Sequence, residues 1–235
     1  MSNAIFVTGI GTDVGKTVAA AIMTEALDAD YWKPVQAGFS EGTDAEFVRS
    51  LISTQASAVH LETYKLKLAA SPHIAAREEG IKIDLDKIAV DFRGITSNPV
   101  RPGHPGGLKP RPTGSSGRAQ TSNLIIEGAG GLMVPLNAEE FVIDLVKKLN
   151  ARVILVSRNY LGSINHSLMT AAVCKQNNLK VLGWIFNDHY LNYEEEIVQW
   201  SGFPKIASIP ATKKIDAAFI KAQASIMKNA LINFL

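Results

Sequence analysis

A glycine-rich segment near the beginning of the chain limits the possible folds more than any other feature of the sequence. Residues 9–17 read Gly-Ile-Gly-Thr-Asp-Val-Gly-Lys-Thr, and they lie between an apolar run at 4–8 and a helical pattern that begins at about residue 16. A glycine-rich turn between a strand and a helix directs backbone N–H groups and the helix N-terminus at phosphate oxygens. Lys16 suits the β- and γ-phosphates, and the Thr17 hydroxyl suits Mg²⁺. The segment therefore predicts a phosphate-binding loop.

The spacing within this loop departs by one residue from the usual pattern GxxxxGK[ST]. That pattern would place its first glycine at position 10, which is Ile10, so the loop begins at Gly9 and is one residue longer. The alternative is a plain glycine turn followed by a lysine on the helix surface. The preceding strand and the Gly-Lys-Thr ending together favour nucleotide binding.

Apolar runs alternate with helical patterns along most of the 235 residues. Strands are predicted at 4–8, 31–35, 124–127, 152–157, 181–186 and 206–209. Helices are predicted at about 16–27, 44–53, 84–92, 140–149, 163–177, 193–201 and 216–234. This alternation predicts an α/β fold: a doubly wound, mostly parallel sheet of the P-loop NTPase type with helices on both faces. The length favours a single domain over residues 1–235. Ligand sites in such sheets lie beyond the carboxyl ends of the strands.

One stretch, residues 93–123, does not follow this pattern. It contains five of the ten prolines, and it contains basic residues but no acidic one: Arg93, Arg101, Lys109, Arg111 and Arg118. Neither helical nor strand periodicity is present there, so we expect an irregular Pro/Gly/Arg-rich loop. A flexible insertion, a basic contact surface and a misread stretch of sequence are all compatible with this composition, and we assign the loop no function.

The composition excludes several classes of protein. Apolar residues make up 46% and charged residues 20%, as in folded globular proteins rather than disordered ones. No apolar run approaches the roughly 18 residues of a membrane span. The first residues carry no basic group before their short apolar run, so we expect no signal peptide and a cytoplasmic protein. The single cysteine, Cys174, excludes a disulfide within the chain and a cysteine-based zinc cluster.

The histidines give no sign of a catalytic metal or of a Ser/His/Asp triad. No HExxH or comparable ligand spacing occurs among His60, His73, His104, His166 and His189.

Lys33 follows the predicted second strand and therefore lies beside the phosphate loop at the carboxyl edge of the sheet. Lysine is rare within buried strands. Lys33 is either a cation directed at an anionic substrate or at the transferred phosphate, or an edge lysine whose ammonium reaches solvent. Its position alone does not separate the two interpretations.

Two carboxylates are candidate Mg²⁺ ligands. Glu127 ends the apolar run 124–127 and precedes a glycine-rich turn, which is the position of the metal-binding acid in many P-loop enzymes. Asp44 begins the helix after the second strand. Because Thr43 and Asp44 both suit a helix N-cap, capping is the simpler interpretation of Asp44 taken alone.

Asn187 and Asp188 end another predicted strand. Their side chains can bond the edge of an adenine, but Asn-Asp is also a common turn pair, and the residues alone favour the turn.

Taken together, the motifs resemble the dethiobiotin synthetase family. The similar segments occur in the family's order and cover nearly the whole chain except 93–123: GIGTDVGKT at 9–17, KPVQAG at 33–38, the segment around Asp44, SPHIA at 71–75, EGAGGLMVPL at 127–136, LGSINHSLMT at 161–170, GWIFND at 183–188 and SIPAT at 208–212. The resemblance implies the ATP- and Mg²⁺-dependent reaction of 7,8-diaminopelargonic acid with CO₂ in biotin biosynthesis. The products are dethiobiotin, ADP and phosphate.

The resemblance also assigns residues to roles. It implies that Lys16, Lys33 and Thr12 act on the reacting groups and that Thr17, Asp44 and Glu127 hold Mg²⁺. Substrate contacts fall to Lys33, Ala37 and Asn165, the last supplied by the second subunit of a homodimer. Nucleotide contacts fall to Asp13, Val14, Gly15, Lys16, Thr17, Val18, Asp44, Glu127, Gly128, Ala129, Gly130, Asn187, Asp188, Pro210, Ala211 and Thr212.

One implied substrate residue departs from the family pattern. Many members carry a Ser or Thr where this chain has Ala37, so we expect one side-chain hydrogen bond to the substrate to be absent or replaced by backbone.

Two other P-loop classes are alternatives. A ParA- or MinD-like ATPase switch would act through protein, DNA or membrane partners, but such proteins usually carry a second lysine where this chain has Ile10 and Gly11. Residues 93–118 lack the interleaved aromatic residues of a nucleic-acid site. We expect the C-terminal helical segment, residues 213–235, to pack on the sheet rather than on a membrane.

The second alternative is an amide-forming synthetase of the cobyrinate type. Such an enzyme would need a catalytic cysteine, whereas Cys174 lies within a predicted helix.

Overall fold

The computed structural model describes residues 4–54, 57–97, 123–188 and 190–234. The strands are β1 (Ala4–Gly9), β2 (Asp30–Trp32), β3 (Val35–Ala37), β4 (Tyr64–Leu66), β5 (Leu124–Glu127), β6 (Arg152–Arg158), β7 (Val181–Asn187) and β8 (Lys205–Ile209). The helices are α1 (Lys16–Leu27), α2 (Asp44–Leu51), α3 (Pro72–Glu78), α4 (Leu85–Ser97), α5 (Val142–Lys148), α6 (Ser163–Gln176), α7 (Glu194–Ser201) and α8 (Ala217–Phe234).

The main sheet has six parallel strands in the order β2-β5-β1-β6-β7-β8. Its central strand β1 is buried along its whole length, as is β5 beside it. Nearly continuous apolar strands of this kind are typical of a parallel sheet that helices cover on both faces. The prediction of a doubly wound α/β fold is confirmed, and the carboxyl ends of β1, β2 and β5 meet at one edge.

Two apolar clusters lie on the two faces of the main sheet. Successive side chains of a strand point to opposite faces, so Phe6 belongs to one cluster while Ile5 and Val7 belong to the other. The second cluster contains the buried positions of α8, among them Ile220 and Met227. The C-terminal helix therefore packs on the protein body, as expected. In the described part of the chain, no helix combines the length and apolar character needed to cross a membrane.

The predicted strand 31–35 is wrong as a single element. Its first part is β2, which pairs with β5 in the main sheet, and its last part opens β3, which pairs with β4 in a separate two-stranded sheet. Lys33 and Pro34 separate the two strands. Pro34 has no backbone N–H to donate to a sheet, so the run cannot continue as one ladder. The break releases Lys33 from strand pairing at the carboxyl edge.

The stretch 93–123 is corrected at its beginning. Residues 93–97 belong to α4, whose Phe92 ring stacks on Trp32 with centroids 6.4 Å apart. Ile95 packs against the same apolar cluster as Phe92, and the helix continues beyond the predicted end at 92. Asn123 accepts a hydrogen bond from Asp30 N at 2.9 Å, immediately before β5. The remainder of the predicted irregular loop, residues 98–122, lies outside the described residues.

Candidate active site

The phosphate loop adopts the backbone that its glycines allow. Gly15 caps α1 with φ +89°, a left-handed conformation that favours glycine, and an added Cβ would overlap the Asn187 amide. At Gly9 an added Cβ would lie 3.1 Å from the Gly11 carbonyl oxygen. The close turn between β1 and α1 therefore depends on these two glycines, as the sequence pattern indicates.

Lys16 is folded back over this loop. Its Nζ donates to the Gly11 carbonyl oxygen at 2.7 Å, and only 7% of the residue is exposed. Burial lowers the pKa of Lys16, and the neighbouring ammonium of Lys33 adds to this effect, while Glu127 opposes it. The loop thus holds a cation whose charge is poorly solvated and available to an anion.

A cluster of buried charges lies next to the loop. Lys33 Nζ donates to Asp44 Oδ2 and, at 3.1 Å, to Glu127 Oε1. Glu127 is 1% exposed and also accepts a hydrogen bond from Thr17 Oγ1 at 2.8 Å. Burial acts to lower the pKa of Lys33, but the charges of Glu127 and Asp44 outweigh it and raise that pKa. Lys33 therefore remains an ammonium and does not lie at the surface as a solvated edge lysine.

Asp44 is not the cap of its helix. The N-cap of α2 is Thr43, whose Oγ1 accepts from Glu46 N at 3.1 Å while Glu46 Oε2 accepts from Thr43 N at 2.9 Å. This reciprocal pair is a capping box, and it satisfies the first turn without Asp44. The simpler interpretation of Asp44 as a cap is wrong, and its carboxylate is directed at Lys33.

These groups surround one cavity of about 460 Å³. Its lining consists of Thr12, Asp13, Gly15, Lys16, Thr17, Val18, Lys33, Gln36, Ala37, Asp44, Glu127, Ala129 and Gly130. The cavity thus gathers most of the residues that the motifs single out at the carboxyl ends of β1, β2 and β5. Val14 and Gly128 belong to the same motifs but support the lining from behind: Val14 is 2% exposed, and a Cβ at Gly128 would lie 2.6 Å from Phe6.

The side-chain oxygens in the cavity are suitable ligands for a magnesium ion that a nucleotide carries. Thr17, Asp44 and Glu127 supply one hydroxyl and two carboxylates, and the Thr17–Glu127 hydrogen bond brings two of these oxygens into direct contact. Mg²⁺ prefers such hard oxygens and usually completes its shell with phosphate oxygens and water. Among the residues that the structure describes, no group of three or more His, Cys, Asp or Glu could hold a metal by itself.

A second group of predicted residues lies along the same sheet edge but outside this cavity. Asn187 Nδ2 donates to the Val14 carbonyl oxygen at 3.2 Å, which ties the end of β7 to the phosphate loop. Asp188 N donates to the Ile209 carbonyl oxygen at 3.2 Å, which brings the exposed segment 210–212 beside it. Asp188 has φ +68°, a left-handed conformation directly after the last residue of β7. His189 lies outside the described residues, as does His104.

Pro210, Ala211 and Thr212 are exposed, and Thr212 Oγ1 donates to the Lys214 carbonyl oxygen at 3.0 Å. Asp188 Oδ2 accepts from Arg158 Nε at 2.8 Å. Asn165, near the beginning of α6, is exposed and does not line the cavity of its own chain.

Two polar residues of the site are absent from the sequence-based assignment. Tyr31 donates from its hydroxyl to Glu127 Oε2 at 2.7 Å, and burial together with the charge of Glu127 raises its pKa well above the usual value. Gln36 accepts from Asp44 N at 3.3 Å and donates to the Gly38 carbonyl oxygen at 2.8 Å. Tyr31 was counted as an apolar strand residue, although it lies only two positions before Lys33. Gln36 lies inside the KPVQAG segment.

The topology, the loop and the charge cluster define a P-loop nucleotide-binding protein. Solved structures with the same fold include the cell division ATPase MinD of Pyrococcus furiosus, with a TM-score of 0.55 and 11% identity over the full length of both chains. A ParA family ATPase from Chlorobium tepidum gives a TM-score of 0.52 and 12% identity over 99% of this chain and 93% of that one. At these identities the likeness concerns the fold alone.

The sequence relationships are more specific. Residues 3–218 match the AAA domain family. The ATP-dependent dethiobiotin synthetase BioD of Cytophaga hutchinsonii is 42% identical over 221 residues, which are 93% of this chain and 94% of that protein. The protein of the same name from Christiangramia forsetii is 38% identical over 98% of this chain and 99% of its own. The chain belongs to the ATP-dependent dethiobiotin synthetase family, which confirms the resemblance drawn from the motifs.

Proposed function

We propose that this enzyme converts 7,8-diaminopelargonic acid, CO₂ and ATP to dethiobiotin, ADP and phosphate. The observation that carries the proposal is the position of Lys33, a buried ammonium next to the phosphate loop and inside the same cavity. A second cation there suits a reaction in which an anionic nucleophile must approach a phosphate. An enzyme that only hydrolyses ATP needs no such group for its nucleophile, which is water.

The proposed reaction has three steps. One amine of the substrate adds to CO₂ and loses a proton, which gives a carbamate. A carbamate oxygen attacks the γ-phosphorus, and ADP leaves. The second amine attacks the carbonyl carbon of this mixed anhydride, the ring closes, and phosphate leaves. Because both partners of the second step are anions, cations held between them and fixed positions supply most of the catalysis.

Different residues of the cavity act on the phosphates and on the carbamate. Backbone N–H groups of the loop, including those at Asp13 and Gly15, bind the phosphates, and Lys16 neutralises their outer oxygens. Lys33 neutralises the carbamate as it approaches. Its raised pKa keeps it protonated at neutral pH, so it acts as a fixed charge and not as a proton acceptor. We assign to Thr12, which lines the same cavity, a contact with the reacting groups.

We propose Mg²⁺ as the metal of the reaction, with Thr17, Asp44 and Glu127 as the residues that would hold it. When bound, Mg²⁺ supplies positive charge to the β- and γ-phosphate oxygens. The chain's own contribution is to keep three oxygen ligands together at the mouth of the loop. Two of them are already in contact, because Glu127 accepts a hydrogen bond from the Thr17 hydroxyl. Val18, Ala129 and Gly130 complete the nucleotide side of the cavity.

We assign the base and ribose of ATP to Asn187, Asp188 and the segment 210–212, which lie together at the carboxyl ends of β7 and β8. For the carboxylate of the diamine we propose Asn165 of the partner subunit in a homodimer. The residue is exposed near the N-terminus of α6, where an anion is favoured. Ala37 lines the substrate side of the cavity without a hydroxyl, so this position contributes no side-chain hydrogen bond.

The test is a reaction that contains the protein, Mg-ATP, diaminopelargonic acid and ¹³C-bicarbonate, analysed by mass spectrometry with ADP release followed in parallel. We expect ¹³C-labelled dethiobiotin and ADP that forms only when the diamine is present. Nucleotide binding without labelled product would contradict the proposal. ADP release that is independent of the diamine would favour an ATPase switch instead.

A further inference from the structure

The buried tyrosine of β2 divides the two oxygens of Glu127 between different partners. Oε1 accepts from Thr17 at 2.8 Å and from Lys33 at 3.1 Å, both of which line the cavity. Oε2 accepts from the Tyr31 hydroxyl at 2.7 Å. Tyr31 is fully buried, so no water replaces this donor from outside. The carboxylate therefore turns one oxygen to the site and the other to the tyrosine.

Backbone pairing on both sides of β2 holds Tyr31 in place. In β2 it pairs with Ile125 of β5, two residues before Glu127 on the same face of the sheet. On its other side Tyr31 N donates to the Ala58 carbonyl oxygen at 2.8 Å, and His60 N donates to the Tyr31 carbonyl oxygen at 2.9 Å. Because β2 is bonded on both sides and the Tyr31 side chain is fully buried in the apolar core, the phenol is held next to Glu127.

We propose that Tyr31 is a positioning residue that holds the Glu127 carboxylate in the orientation needed to bind the nucleotide's metal ion. The inference rests on the proposed function of Glu127 as a metal ligand. The terminal torsion of a glutamate is broad, so the two oxygens exchange places easily unless a partner fixes one of them. A hydroxyl is suited to this task because it donates one hydrogen bond and leaves the negative charge of the carboxylate in place.

The test is Tyr31→Phe, which keeps the ring and removes only the donor. The matched control is Tyr64→Phe, since Tyr64 is also buried and its hydroxyl accepts from Asp84 N at 2.9 Å, but it does not line the cavity. Calorimetry with a non-hydrolysable ATP analogue gives the nucleotide affinity as Mg²⁺ is varied, and this readout needs no turnover. Thermal melting of both variants gives the purely structural effect.

We expect Tyr31→Phe to raise the Mg²⁺ concentration at half-saturation by about 10-fold, in the range typical of lost partners behind metal ligands. Nucleotide affinity without Mg²⁺ should stay unchanged. Tyr64→Phe should lower the melting temperature without moving the Mg²⁺ dependence. If Tyr31 only packs the core, Tyr31→Phe should behave like the control, with a lower melting temperature and an unchanged Mg²⁺ dependence. That outcome would overturn the proposal.

A third variant, Glu127→Gln, separates this inference from the proposed metal site. If Glu127→Gln raises the Mg²⁺ requirement and Tyr31→Phe does not, the metal site stands and the role of Tyr31 is wrong. If neither variant changes the Mg²⁺ requirement, Glu127 is not a metal ligand and the inference fails with it. A raised Mg²⁺ requirement in both variants supports both the metal site and the role of Tyr31.

Discussion

The two ends of the proposed nucleotide site lie on one sheet edge but are built in different ways. At the phosphate end Lys33 and Glu127 are 7% and 1% exposed, and they bond each other. At the base end the residues of 210–212 are exposed, while Asn187 Nδ2 and Asp188 N donate to the Val14 and Ile209 carbonyl oxygens. The phosphate end is thus fixed before a ligand arrives, whereas the base end depends on a few local contacts.

This difference predicts how the two ends respond to substitution. Removing one partner from a buried charge cluster leaves the remaining charges uncompensated, which is costly for the fold as well as for the chemistry. Removing a side chain from an exposed segment costs little stability and weakens only the contact it made. Substitutions at the phosphate end should therefore change turnover and stability together, and those at the base end should change affinity alone.

The largest effect is expected for Lys33→Gln. Turnover should fall by about 10²–10³-fold, because the variant loses a charge that stabilises the transition state. The free energy of unfolding should fall by roughly 3 kcal/mol, since Asp44 and Glu127 remain without their shared cation. Nucleotide affinity should change little because the loop and Lys16 are intact. Steady-state kinetics, denaturant unfolding and calorimetry measure the three quantities.

The control for this variant is Lys67→Gln, which neutralises an exposed lysine outside the cavity and should behave as wild type. If Lys33→Gln turned over at a rate close to wild type, the lysine would have no part in the reaction. If it lost turnover but kept full stability, the buried cluster would contribute less to the fold than its burial indicates.

An intermediate effect is expected for Gly15→Ala, which acts where the two ends meet. The left-handed backbone at this position costs a residue with a side chain roughly 1–3 kcal/mol, and the new methyl group would also displace the Asn187 amide. Nucleotide affinity should fall by about 10-fold or more. Gly80→Ala is the control, because Gly80 has φ +66° but open space around it. Equal losses of affinity in both variants would argue against a special role for the loop.

The smallest effect is expected for Asn187→Ala. It removes the side chain assigned to the base of ATP, so the nucleotide affinity should fall about fivefold, as for one net hydrogen bond. Turnover at saturating ATP should stay near wild type, and the melting temperature should fall only slightly, because one hydrogen bond, to the Val14 carbonyl oxygen, is lost within the protein. Asn177→Ala, at the far end of α6, should leave the affinity unchanged. A large loss of turnover in Asn187→Ala would mean that the base end is as tightly coupled to the chemistry as the phosphate end.

Most of the site could be predicted from the sequence because its residues follow strands. The glycine pattern placed α1 at 16–27 as observed, and the position of Glu127 after an apolar run placed it at the same edge. What the sequence could not predict depends on partners distant in the chain. The strand break at Pro34 became visible only with the pairing of β3 and β4. The role of the Tyr31 hydroxyl depends on its contact with Glu127, which is 96 positions away in the chain.

Short elements were the other source of error. The strands β3 and β4 have three residues each, and such runs carry too little periodicity to be distinguished from loops. The helix α3 has seven residues and was missed for the same reason. The residues alone favoured Asp44 as a cap, but Thr43, one residue earlier, is the cap, and only the observed hydrogen bonds distinguish two adjacent capping residues.

The strand order β2-β5-β1 also determines when the site can form during folding. Glu127 is separated from Lys33 by 94 positions and from Thr17 by 110, yet it contacts both. Contacts of such high sequence separation form late, because a long loop must close before they contribute any stability. An emerging polypeptide that ends before β5 possesses the phosphate loop but lacks its carboxylate. The time at which metal-dependent nucleotide binding begins during refolding would therefore report when β5 inserts between β2 and β1.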